Sequence, residues 1–367
     1  MPQNSNGLWD DVLPVRRTIS DSAIDHVTGK TVLITGAGGC IGSALAKKVL
    51  SGKPRTVVLL DHSEQSLYDL GRSLSYLDGA PTYRLIPGDA GDSFLIAALL
   101  EEYSPDVILH AAAYKHVPLM EANPFAALQN NAILTWQLAK AAAESGVPQL
   151  LLISTDKAAN PRSILGASKR LAEHAVLRWS APSKCYSAIR LVNVLGSTGS
   201  VVPVFLEQIS RGGPLTITHP DAARYFMTLE DTVRLILAAA AIPDGGLVYI
   251  PKISQPMRIV ELARELLRRT AGAATNTIGT EFTDLRQGEK IVEELFSAGE
   301  SIQPMQHAEI QAVTSPCVSA PVFDRAILQL REIVQERHIA ALLDSLCQLV
   351  PVYQPSSTLR AAAQIVS

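Results

Sequence analysis

The amino-acid sequence predicts an α/β fold, a doubly wound parallel sheet with helices on both faces and a smaller C-terminal lobe. Three observations lead there. Short, continuous apolar runs recur at Thr31–Thr35 (TVLIT), Arg55–Leu60 (RTVVLL), Tyr83–Pro87 (YRLIP), Val107–His110 (VILH) and Leu150–Ser154 (LLLIS). Helical stretches rich in alanine, leucine and charged residues separate them. A glycine turn directly follows the first run and opens a helix reaching about Leu50. Strands apolar along their whole length are buried on both faces, and strand–helix alternation makes them parallel.

The turn reads Gly36-Ala37-Gly38-Gly39-Cys40-Ile41-Gly42, with GxxGxxG spacing at Gly36, Gly39 and Gly42. The first glycine permits the tight turn, the second admits a pyrophosphate to the backbone, and the third lets helix and strand pack closely. Backbone N–H groups of Gly38, Cys40 and Ile41, aided by the helix dipole, suit phosphate. Asp61 ends the second strand, 19 residues after Gly42, where an acidic residue bonds adenosine ribose hydroxyls. A carboxylate there repels a 2′-phosphate, so NAD is expected rather than NADP. His62 and Ser63 flank it. Asp89 and Ala90 follow the third strand toward the adenine, and Ala111, Ala112 and Ala113 follow the fourth. These features define a Rossmann-type nucleotide-binding domain.

The chain has 367 residues, 47% hydrophobic and 18% charged, so a large core is within reach. The expected organisation is an N-terminal arm over 1–29, the nucleotide-binding domain over 30–192, a substrate-binding lobe over 193–301 and a helical extension over 302–367. A net charge of −3 argues against nucleic acid or an anionic membrane as partner. The N-terminal residues do not resemble a signal peptide, and the longest apolar run, Leu235–Ile242, is too short for a membrane span. A cytoplasmic location follows as an expectation. Cys40, Cys185, Cys317 and Cys347 are scattered, with neither zinc-ligand nor disulfide spacing.

Further segments carry chemistry: HAAAYKHVPLME (110–121), STDKAANPRSILGASKR (154–170), VLGSTGSVVPVF (194–205), LRQGEK (285–290) and EEL (293–295). Together they resemble the UDP-N-acetylglucosamine 4,6-dehydratase family, the CapD-like polysaccharide biosynthesis proteins of the extended short-chain dehydrogenase/reductase type. The resemblance spans about residues 28 to 300 and covers the soluble catalytic portion of a family that also has membrane-anchored members. It implies a UDP-sugar substrate and a homo-oligomer, and it prefers retention at C5.

A 4,6-dehydration oxidises C4 by hydride transfer, removes the acidified C5 proton, expels the C6 hydroxyl as water and returns the hydride to C6. It therefore needs an acid and a base side by side. Asp156 suits the acid, and Lys157 suits the base if desolvation lowers its pKa. The resemblance assigns them the same roles. Lys169 is expected to reach the nicotinamide ribose from the next helix. The superfamily's usual tyrosine, four residues earlier, is Leu165 here. Leucine takes no proton, so Thr155 as a relay, water or Lys169 would receive the C4 proton. Tyr114, Lys115 and His116 are expected to line the sugar pocket, with Lys115 touching substrate, and Val201 and Asn193 to border it. Arg224 and Arg286 suit a pyrophosphate through guanidinium forks, and Glu289 a uridine ribose. His110 reads as structural; no metal site is expected.

Two other functions fit parts of this pattern. A UDP-sugar 4-epimerase shares the C4 oxidation but needs no acid–base pair at C5 and C6. A nucleotide-binding partner without turnover would explain Leu165.

Overall fold

The computed structural model describes residues 21–76, 81–197, 199–253, 255–270, 278–316 and 319–366. Residues 1–20 of the expected arm and Cys317 lie outside them. The arm's remainder forms a 3₁₀ turn, Asp21–Val27, whose Val27 is buried against the sheet's first helix.

Nine strands form the central sheet: β1 (Thr31–Thr35), β2 (Thr56–Asp61), β3 (Tyr83–Pro87), β4 (Val107–His110), β5 (Gln149–Thr155), β6 (Cys185–Leu191), β7 (Val248–Pro251), β8 (Ser301–Gln303) and β9 (Ile310–Thr314). Their order is β8-β9-β7-β6-β5-β4-β1-β2-β3. β1 to β7 pair in parallel, and the β8–β9 hairpin closes one edge antiparallel. The five expected strands are all present. β6 and β7 were not anticipated, because CYSAIRL and VYIP interleave polar residues and proline with the apolar ones. The 193–301 segment, expected to form the lobe, thus returns to the main sheet at β7, and 302–367 supplies β9.

Side-chain alternation along each strand sorts the core onto two faces. Val32 and Ile34 of β1 face Leu45, Val49 and the helix Leu229–Ala241. Leu33 faces the other way, with Ile96, Leu138 and Val176. The lobe has its own core of Phe205, Leu215, Ile217, Leu262 and Leu266. The C-terminal helices Ala320–Glu336 and Ile339–Leu349 pack Phe323, Leu330 and Leu342 on the helix Ile164–Leu177 and its neighbour. Among the described residues no helix is long and apolar enough to cross a membrane.

Candidate functional site

The chain order reverses between β1 and β4, whose carboxyl ends lie side by side with Thr35 opposite His110. Ligands of open α/β sheets bind in the crevice at such a point. A cavity of about 220 Å³ sits there, lined by Gly36, Gly39, Asp61, Ala90 and Ala111–Ala113 among others. Two glycines show why the turn needs no side chains. A Cβ on Gly36, whose φ is +67°, would lie 2.6 Å from the Ala112 nitrogen, and one on Gly42 would lie 2.0 Å from the Gly36 carbonyl oxygen. Cys40 and Ile41 open the following helix, Cys40–Ser51, which aims its N-terminus at the crevice.

Asp61 is buried, accepting hydrogen bonds from Gly38 N and Ser63 N at 2.9 Å each. Its carboxylate is thereby fixed at the cavity wall. His62 is exposed, 3.5 Å from Asp61. Asp89 lines the cavity and accepts from Gly91 N at 2.8 Å. This cradle fits a dinucleotide: bare backbone for phosphates and an oriented carboxylate for a ribose.

Sequence reasoning passed over Asn131. It lies in a π-helical turn, Leu128–Ile133, and is fully buried. Its side chain accepts from Tyr114 N at 2.8 Å and donates to Tyr114 O and Ser168 Oγ, both at 3.1 Å. The cavity wall is thus tied to the helix carrying Lys169. A lone asparagine inside a helical pattern carries no sequence signal for such a tie. His110 is fully buried between Thr35 Oγ1 at 2.6 Å and Thr135 Oγ1 at 2.9 Å, and burial pushes its pKa down to about 3. It is a neutral strut.

β5 delivers Thr155 to the same sheet edge, and a 3₁₀ turn, Asp156–Ala158, follows. Asp156 is fully buried. Its Oδ1 accepts from Thr155 Oγ1 at 3.0 Å and Lys157 Nζ at 2.9 Å, while Oδ2 has no hydrogen-bond partner among the described residues. Lys157 keeps 23% of its side chain exposed and also lies 3.4 Å from both Asn193 Oδ1 and Glu293 Oε1. Desolvation opposes its charge, but Asp156 and Glu293 together outweigh it and raise the lysine's pKa. This corrects the expectation that desolvation lowers the pKa of Lys157 and frees its amine. Lys157 rests as an ammonium between Asp156 and a second carboxylate, Glu293 of the EEL segment.

Lys169 is buried on the helix Ile164–Leu177, donates to Ile153 O at 2.8 Å, and is lowered to about 8 by burial. Leu165, one turn earlier, is 3% exposed and belongs to the apolar cluster under the C-terminal helices. Asn193 pairs with Phe226 where the chain enters the lobe. Arg224 is nearly buried, and its Nη1 donates to Ala223 O and Ile291 O at 2.8 Å each. Part of that guanidinium holds the backbone at Ile291, just after the LRQGEK segment, instead of facing a ligand. Arg286 is exposed, its backbone N–H reaching Glu289 Oε2 at 3.4 Å. Lys115 is exposed beside Cys40, and His116 lies under Gly199 at the start of a short helix. Val201 begins the helix Val201–Ser210 and packs on the lobe core.

Behind the pair, Arg190 of β6 is fully buried. It donates bidentately to Glu173 at 2.9 and 2.8 Å, to both oxygens of Glu300 at 2.8 Å, and to Leu295 O at 3.0 Å. Arg170 also contacts Glu300. Two arginines thus balance two glutamates and anchor the segment that carries Glu293.

Residues 32–315 match the family described as Polysaccharide biosynthesis protein. The capsular polysaccharide biosynthesis protein CapD of Staphylococcus aureus is 43% identical over 285 residues, 77% of this chain and 47% of that protein. The chain spans about half the length of the first curated relatives it matches. A UDP-N-acetylglucosamine 4,6-dehydratase (inverting) of Campylobacter jejuni is 33% identical over 278 residues, 74% of this chain and 79% of that enzyme. Pen from Bacillus thuringiensis, a solved structure, superposes with a TM-score of 0.72 at 28% identity, covering 79% of this chain and 89% of its own. The match runs from the first strand of the sheet to the last, so the chain belongs to the Polysaccharide biosynthesis protein family, whose relatives include nucleotide-sugar dehydratases and epimerases.

Proposed function

We propose that this chain catalyses NAD-dependent 4,6-dehydration of a UDP-N-acetylhexosamine, UDP-N-acetylglucosamine first, to the UDP-4-keto-6-deoxy sugar. The observation that carries the reading is the buried Asp156 carboxyl in contact with Lys157 at the carboxyl edge of the sheet. An epimerase has no use for that pair, and Leu165 removes the hydroxyl that would serve C4 alone. A bound nicotinamide supplies reversible hydride transfer.

The remaining work falls to the chain. Thr155 Oγ1, bonded to Asp156, provides a path along which the C4 hydroxyl proton reaches the Asp156 carboxyl. The protonated Asp156 then gives that proton to the departing C6 hydroxyl. Lys157 takes the C5 proton, after first shedding one of its own. Full burial of Asp156 and partial burial of Lys157 limit the water that would compete for these protons. Lys169 holds the cofactor's ribose, Gly36–Gly42 its pyrophosphate and Asp61 its adenosine ribose. The uridine end falls to the lobe, with Arg286 and Glu289 beside it.

The test is incubation of purified protein with NAD and UDP-N-acetylglucosamine, followed by mass spectrometry and proton NMR. A product lighter by one water supports the reading, and the same spectrum reads the configuration at C5. A product of unchanged mass with inverted C4 would replace dehydration by epimerisation. Binding without turnover would leave the non-catalytic partner.

A further inference from the structure

Glu293 has no part in the steps just described, yet its surroundings are those of a reacting group. It is 3% exposed, and its Oε1 lies 3.4 Å from Lys157 Nζ. Its Oε2 has no hydrogen-bond partner among the described residues and lies 3.9 Å from Lys290 Nζ. Lys157 therefore has three oxygen neighbours, Asp156, Asn193 and Glu293, as many as an ammonium has protons. Its lone pair is unavailable until one of the three takes a proton. Asn193 is an amide and does not. Asp156 is committed to the proton bound for the C6 hydroxyl. Glu293 remains, a buried carboxylate 3.4 Å from the ammonium whose second oxygen has no hydrogen-bond partner among the described residues.

We propose that Glu293 acts through Lys157 as the acceptor of its proton, freeing the amine to act as the base at C5. This rests on the dehydratase reading above. The cycle starts from the resting charges, Asp156 and Glu293 anionic and Lys157 cationic. The C4 hydroxyl proton reaches Asp156 through Thr155 as C4 is oxidised. An N–H bond of Lys157 breaks as an O–H bond forms on Glu293. The amine takes the C5 proton, and the C5–H electrons form the C5–C6 double bond. The C6–O bond breaks with the Asp156 proton, releasing water. With the hydride returned to C6, Lys157 gives its proton back to C5 and recovers one from Glu293. Every group ends as it began.

The other charges facing this cluster are Arg224, which opposes the Lys157 cation, and Lys290, which faces Glu293. Neither presents a carboxylate to Lys157.

The test is Glu293→Gln, which preserves shape, with Glu293→Asp beside it. Three readouts on UDP-N-acetylglucosamine with NAD separate the roles: reduced-nicotinamide absorbance for C4 oxidation, solvent deuterium entry at C5, and water loss by mass. Glu293→Gln is expected to oxidise C4 while deuterium entry and water loss fall about 100-fold. Its water loss should recover as pH rises, because solvent then deprotonates Lys157. Glu293→Asp should lie between it and wild type. Water loss at the wild-type rate in Glu293→Gln would overturn the proposal, as would equal loss of C4 oxidation and elimination, the mark of a merely structural residue. Wild-type protein that oxidises C4 but releases no water would instead remove the dehydratase reading, and the proposal with it.

Discussion

Replacing Arg190 by leucine removes the cation that lies between Glu173 and Glu300 and leaves both carboxylates buried. Glu300 measures what is lost. Its carboxyl is held down to about 2 from an ordinary 4.5, against burial, by hydrogen bonds and charge from Arg190 and by the Arg170 charge. By linkage that difference is about 3 kcal/mol of stability at neutral pH. Arg170 stays in place and retains part of it, while Glu173 loses its bidentate partner. Removing one member of a buried ion pair costs about 3–5 kcal/mol, so a loss of about 4 kcal/mol is expected near neutrality. The pH dependence has a definite sign. A depressed carboxyl pKa stabilises fully above the unfolded value and loses that contribution as pH falls toward the folded one. At about pH 4 the wild type has already lost about 1 kcal/mol of it, and the gap between the proteins should narrow by that amount. Urea unfolding followed by tryptophan fluorescence at both pH values measures the gap. A loss under about 1 kcal/mol at neutral pH, or a gap that widens toward acid, would refute the reasoning. Arg190 also donates to Leu295 O, so the variant should lose water-elimination activity beyond its loss of stability.

Three further outcomes are expected. Gly42→Ala places a Cβ 2.0 Å from the Gly36 carbonyl oxygen and should abolish NAD binding in calorimetry; wild-type affinity would show that the turn does not hold the pyrophosphate. Asp61→Ala removes the acceptor for Gly38 N and Ser63 N and a charged acceptor for ribose. NAD should bind roughly 10–100-fold more weakly, with NADP gaining relative to it; an unchanged preference would remove Asp61 from cofactor selection. Asp156→Asn should lower kcat by about 10²–10⁴ with little change in KM, read as the rate of water loss by mass spectrometry. A near-normal kcat would take the acid role away from Asp156.

Much of this protein is written locally. β1 and β4 coincide with the apolar runs Thr31–Thr35 and Val107–His110, because a strand buried on both faces must be apolar throughout; β3 coincides with Tyr83–Pro87 although, at the sheet's edge, it is only partly buried. The glycine turn and Asp61 were legible because their spacing follows from one strand, one turn and one helix, with no distant contact involved. Asp156 and Lys157 were legible as neighbours for the same reason. Tertiary structure decided what neighbours along the chain cannot. β6 escaped notice because Ser187 and Arg190 break its apolar pattern, and Arg190 is tolerable there only because Glu173 and Glu300 arrive from elsewhere to neutralise it. The second carboxylate that faces Lys157 beside Asp156, Glu293, is delivered by a segment far along the chain. Leu165 became core because the C-terminal helices cover its cluster. Propensity and period act between residues close in sequence, whereas charge and burial act across a few ångströms, and only the folded chain sets which residues those ångströms separate.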